Sequence, residues 1–175
     1  KIPDVHTIQV VTALSGMTNL FLGESQMSNE LVTILGASKL FAEFSPEQLE
    51  EAILHLNPTI VTKKSGERVY KKGDIADRGW LIHSGKLMLK RSSLRSPFRH
   101  MIYNKGSVTG IQGLVAPGST RAVSMIADGK VKLVEITHEG IAHLNKDTQI
   151  LLWRNMSKIL MRKLTICLSQ ESLCD

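Results

Sequence analysis

Between Asp77 and Asp128 the chain contains no acidic residue at all. Eight of its 22 Lys and Arg residues fall in that window, and the rest of the chain sums to a charge of −2 against the overall +6. The basic excess is therefore confined to one contiguous third of the sequence, a distribution that favours phosphates, nucleic acid or acidic lipid surfaces as partners. Cysteine is nearly absent. Cys167 and Cys174 are the only two, too few for a disulfide framework and wrongly spaced for a metal, which fits a reducing, cytoplasmic compartment. Long hydrophobic runs are missing too. The most apolar stretch, from Ile8 to Leu22, is interrupted by Gln9, Thr12, Ser15, Thr18 and Asn19. It has no basic leader and no small-residue cleavage site. It is expected to be an amphipathic helix or the remnant of a preceding region, and neither a signal peptide nor a membrane span. Internal repeats and low-complexity linkers are also lacking.

Catalytic motifs are absent as well. "HEGIAH" (138–143) places His138 and His143 five residues apart, about 140° around a helix, so they cannot share a metal as an H-E-x-x-H pair does. There is no G-x-S-x-G and no P-loop. Cys167 sits mid-helix in an apolar seam, where packing is the expected role. The chain is expected not to be an enzyme and to carry no cofactor.

What is present divides into three parts: a helical extension over 1–37, a helix followed by a β-rich unit over 38–136, and helices over 137–175. In "SKLFAEFSPEQLEEAILHL" (38–56), Ser45 caps a helix, Pro46 takes its first position and Gln48 completes a capping box. Leu49, Ile53, Leu54 and Leu56 supply an apolar stripe. From Thr59 to Ile136 short apolar runs alternate with turns at Gly66, Gly73, Gly85, Gly106, Gly118 and Gly129, the pattern of a small barrel or roll. Helix returns after a cap at Thr137. A long helix is expected from Asp147 or Thr148 to about Ser169, with Trp153, Met156, Leu160, Leu164 and Cys167 along a seam that suits core packing, a lid or a partner helix. The fold class is α+β, a β-roll flanked by N-terminal helices and a long C-terminal helix.

Two stretches carry a family resemblance. "SGERVYKKGDIADRGWLIHSGKLMLK" (65–90) has a Gly before its first strand, a Gly-Asp turn, an aromatic-aliphatic strand and a Ser-Gly turn. "NKGSVTGIQGLVAPGSTRAV" (104–123) runs from Gly110 to Arg121 and on to "VEI" (134–136). In order and spacing these resemble the cyclic-nucleotide-binding domain of the catabolite activator protein family, over about residues 38–170. The resemblance implies an antiparallel β-roll of the jelly-roll, or double-stranded β-helix, kind. It also implies a phosphate-binding cassette in which Gly110, Ile111, Gln112, Gly113, Leu114, Arg121 and Ala122 form the ligand site. Arg121 matches the family's phosphate-binding Arg, and Arg suits that role because its planar fork pairs with phosphate oxygens. The implied ligand is cyclic AMP, cyclic GMP or a related phosphorylated anion, and the implied assembly is a homodimer through the C-terminal helix.

The sequence departs from the family at one chemically important place. Ile111 stands where the family has a Glu that accepts the ribose 2′-hydroxyl, and Gln112 beside it is a neutral substitute. A charge-assisted hydrogen bond left unmade costs about 1.5–3 kcal/mol, or roughly 10–150-fold in affinity. On the long helix, Cys167 and Leu168 fall where some relatives place hydroxyls against the purine. Three outcomes stay open: a cyclic-mononucleotide sensor, a sensor of a more highly charged phosphorylated ligand, and a ligand-free interaction module whose pocket is filled by Ile111 and Leu114. The last would work through the basic hairpin "KLMLKRSSLRSPFRH" (86–100), with Lys86, Lys90, Arg91, Arg95 and Arg99 facing a protein or an acidic surface. Residues after the long helix are too few for a helix-turn-helix, so sequence-specific DNA binding is not expected of the chain as given, and a longer natural chain would restore that role.

Overall fold

A computed structural model describes residues 28–90 and 101–171, with side chains through 166. The stretch 8–22, Arg91, Arg95, Arg99 and the side chains of Cys167 and Leu168 lie outside the described residues. A first helix, α1, covers 28–36. A short 3-10 helix at Lys39–Phe41 follows, capped by the Ser38 hydroxyl. Helix α2 then spans Pro46–Leu56. Its start is set by the residues that the sequence singles out. The Ser45 hydroxyl accepts from the Gln48 amide, and the Gln48 side chain accepts from the Ser45 amide, which satisfies two otherwise orphaned donors.

Six strands follow among the described residues: β1 (Thr59–Lys63), β2 (Arg68–Tyr70), β3 (Arg78–Lys90), β4 (Ile102–Tyr103), β5 (Val108–Thr109) and β6 (Ser124–Thr137). A one-turn helix, α3 (Gln112–Val115), lies between β5 and β6. The strand pairings are antiparallel. The long strands β3 and β6 pair centrally. β1 and β2 both add to β6, and β4 and β5 both add to β3. This is the expected β-roll, and helices stand on both sides of it in sequence.

Period-two alternation divides the apolar residues of the central pair between two cores. From β3, Trp80, Ile82 and Leu87 face the inside of the roll; from β6, Met125, Val131 and Leu133 do. Register shifts on either side of Ser84 change the parity along β3, which is how Leu87 joins Trp80 and Ile82 on one face. Leu81, Val134 and Ile136 face the other way, into a second core built with the helices. That helix-side core takes Leu31, Ile34 and Leu35 from α1, Leu49, Ala52 and Leu56 from α2, and Leu152 and Met156 from the last helix. Residues 28–36 thus share one core with the roll.

A 3-10 helix at Glu139–His143 leads to that last helix, α4, at Lys146–Glu171. Two expectations are corrected here. Thr137 does not cap the 3-10 helix, because it is still paired with Arg78 in the β3–β6 ladder, and His138 takes the cap position without a side-chain bond. The long helix begins at Lys146, ahead of the expected Asp147 or Thr148, and the Asn145 side chain accepts from the Thr148 amide. Glu51 of α2 accepts from the Asn145 side-chain amide and from the Thr148 hydroxyl, tying the start of α4 to α2.

Asn155 fixes α4 further along. It is buried, and its side-chain amide donates to the carbonyls of Leu40 (3.1 Å) and Ala42 (2.8 Å). Asn155→Ala leaves both carbonyls without that donor, at a cost of about 1–3 kcal/mol. The expected outcome is a clear fall in thermal midpoint, read by circular dichroism, whereas exposed Ser157→Ala leaves it nearly unchanged.

Candidate functional site

The loop from Gly110 to Arg121 is held on β3 by close backbone approach. Gly110 has φ +69°, and a Cβ there would lie 2.8 Å from the Trp80 ring. At Gly113 a Cβ would collide with the Arg78 backbone, so a side chain at either position forces the loop away. Between them begins the single turn of α3.

Arg121 is 3% exposed. Its backbone pairs with the Gly73–Asp74 turn: the Arg121 amide donates to the Asp74 carbonyl and the Gly73 amide to the Arg121 carbonyl. Its guanidinium donates through Nη1 to the Gly110 carbonyl (3.1 Å) and through Nη2 to the Arg78 carbonyl (2.5 Å). The Tyr70 and Trp80 rings stack on each other, and the guanidinium carbon lies 4.7 Å from the first and 5.2 Å from the second, within cation–π range. Among the described residues Nε has no hydrogen-bond partner. Burial pushes the guanidinium pKa below its ordinary value, the direction desolvation of a cation gives.

Arg78 is the contrasting arginine. Asp77 and Glu135 both pair with it and hold its pKa above the ordinary value. Glu135 also accepts from the Trp80 indole (2.9 Å), which fixes the ring under Arg121.

A cavity of about 160 Å³ opens beside Arg121. Gly110, Ile111, Gln112, Arg121 and Ala122 line it, as the sequence suggests, together with Tyr70, Tyr103 and Thr109. Leu160 and Lys163 close it from α4. Gly113 and Leu114 do not reach it. Gly113 lies against the Arg78 backbone, and Leu114 turns into the helix-side core. Ile111 is also part of that core. The Gln112 side-chain amide donates to the Ser119 hydroxyl and the Thr120 carbonyl within the loop.

The α4 residues separate. Met156 is buried, Trp153 packs against the helix-side core, and Leu160 and Leu164 are 41% and 50% exposed. Lys86 and Lys90 are exposed on β3. Sequence reasoning missed Lys163, whose ammonium donates to the Val108 carbonyl (2.8 Å) and lies 5.1 Å from the Tyr103 ring centre. A basic pair, Arg162–Lys163, inside an apolar seam was the available signal. Among the described residues no group of three His, Cys, Asp or Glu is placed to hold a metal ion, and no helix is long and apolar enough to cross a membrane.

No protein-family model matches the sequence, and no curated protein matches it. Solved structures do. The catabolite activator protein of Thermus thermophilus is 24% identical, with a TM-score of 0.65 over 78% of this chain and 63% of its own. The regulatory domain of Toxoplasma gondii PKA, solved with cAMP, is 16% identical, with a TM-score of 0.62 over 77% of this chain and 51% of its own. A cyclic nucleotide-binding domain from Methylobacillus flagellatus is 14% identical, with a TM-score of 0.69 over 83% of this chain and 82% of its own. This chain therefore spans less than two thirds of the first two. It has the cyclic-nucleotide-binding-domain fold of the catabolite activator proteins.

Burial pushes the Lys163 pKa from 10.5 down to about 8. The ionisable groups that line cavities with it are Tyr70, Tyr103, Arg121, Lys39, Lys105 and Arg162, with no carboxylate among the described residues. Between about pH 8 and 10.5 the unfolded chain binds more protons than the folded one, so folding stability rises with pH through that window. Relative to Lys163→Met, the wild-type thermal midpoint is expected to climb from about pH 8 toward pH 10. A difference that stays constant with pH would show that Lys163 is not desolvated.

Proposed function

We propose that this chain is a non-enzymatic regulatory module that binds a cyclic nucleotide or a related phosphorylated anion at Arg121, beneath α4. The observation that carries this is the state of Arg121: a buried cation facing a cavity, with two of its donor nitrogens on backbone carbonyls and Nε without a partner among the described residues. No carboxylate of the described residues lines that cavity. An anion there meets fixed donors and needs to displace no counter-charge. Leu160 and Lys163 on the cavity wall connect its contents to α4, so a ligand that contacts them shifts the helix by its differential affinity for two positions. The exposed Leu160 and Leu164 suit a second copy of the chain, and a homodimer through α4 belongs to this proposal.

A second function is favoured by a different observation. Ile111 and Leu114 are packed into the helix-side core, and the 160 Å³ cavity is smaller than the roughly 300–1,000 Å³ of sites for drug-sized ligands. A ligand-free interaction module fits those facts, with Lys86 and Lys90 as the described part of its basic surface.

Calorimetric titration separates the two. At least one of cyclic AMP, cyclic GMP and cyclic di-GMP is expected to bind, and Arg121→Lys, which keeps the charge but loses the planar fork, is expected to weaken it about tenfold or more. Circular dichroism checks that the variant is folded. Absence of heat with all three up to millimolar concentration supports the ligand-free module.

A further inference from the structure

The Arg121 cavity has a neighbour. A larger cavity of about 470 Å³ lies between α4, the β4–β5 segment and the start of the Lys39–Phe41 helix. Tyr103 and Lys163 line both. The partition is therefore one lysine on one tyrosine face, with the lysine ammonium donating to the Val108 carbonyl.

Both cavities are cationic. Arg121 stands in the small one, Lys39, Lys105 and Arg162 in the large one, and Lys163 between them. Among the described residues no carboxylate lines either cavity, and many of the lining residues come from the acid-free sequence between Asp77 and Asp128. Among the described residues Lys39, Lys105 and Arg162 make no ion pair. The large cavity also has an apolar wall that includes Ile102, Val108 and Ile159.

Building on the proposal that Arg121 holds an anion, we infer that the ligand carries two separate anionic groups, one at Arg121 and one among Lys39, Lys105 and Arg162, joined by an apolar or ring-shaped body that passes Lys163. Three facts converge on this. The small cavity, at about 160 Å³, falls below the roughly 300–1,000 Å³ of sites for drug-sized ligands. Ile111 is apolar and no carboxylate of the described residues lines the cavity, so a sugar hydroxyl meets no charged acceptor there. The charge beyond the partition is in excess of what the single phosphate charge of a cyclic mononucleotide neutralises. Engaging both ends makes the second contact intramolecular and raises affinity without new chemistry at either end. Burial already makes the charge of Lys163 costly, and a second anion beside it relieves that cost.

The test uses 1,6-hexanediol bisphosphate, with cyclic AMP and hexyl phosphate as single-phosphate controls, titrated calorimetrically into the whole chain. The bisphosphate is expected to bind at least about tenfold more tightly than either control. The double variant Lys105→Ser, Arg162→Ser changes only exposed groove residues, and it is expected to remove that advantage while leaving the monophosphate unchanged. If cyclic AMP binds as well as the bisphosphate, and Arg121→Lys weakens both, the two-anion ligand is overturned while the anion site at Arg121 stands. Equal binding of inorganic triphosphate, insensitive to Arg121→Lys, overturns it in favour of a nonspecific basic surface. No binding of any probe overturns the Arg121 site as well.

Discussion

The Arg121 guanidinium is the joint on which the roll's ligand end depends. Its two hydrogen bonds reach the Gly110 and Arg78 carbonyls, and its central carbon lies over the Tyr70 and Trp80 rings. One side chain thereby connects the loop, β3 and β2. The approach is close enough that Gly110 and Gly113 have no room for a Cβ. A buried guanidinium without a carboxylate is costly unless its donors are engaged, and backbone carbonyls supply only part of that need.

The second constraint comes from α4. Asn155 and the Glu51 cluster dock its N-terminal half by polar contacts, and Leu152 and Met156 dock it by packing. Toward its C-terminal half the attachments change in kind. Lys163 reaches into the roll, while Leu160 and Leu164 stay partly in solvent. Among the described residues the helix meets the other helices near its start and the site through Leu160 and Lys163 further along.

Much of this was legible in the sequence because it rests on local rules. Ser45, Pro46 and Gln48 specify the start of α2 by neighbouring backbone donors. The spaced glycines mark the turns of the roll, and the interval from Gly110 to Arg121 marks the loop. The remainder depends on contacts between distant segments. Spacing alone placed Met156 and Leu160 in one seam, yet of the two only Met156 is buried, because which side of an apolar stripe meets the roll is decided by tertiary packing. The role of Lys163 is hidden for the same reason: the sequence shows a basic pair in an apolar seam, but its partners, Val108 and Tyr103, lie far away in the chain. Leu114 belonged to a motif that implies a ligand contact, but the single turn of α3 points it at the core.

Asn155 has a mechanical consequence. Both hydrogens of its amide are committed to carbonyls of the Lys39–Phe41 region. Rolling α4 about its own axis would break both bonds together, whereas a displacement that carries Leu40 and Ala42 along keeps them. The helix that covers the site and the Lys39–Phe41 segment therefore move as one piece while both bonds hold.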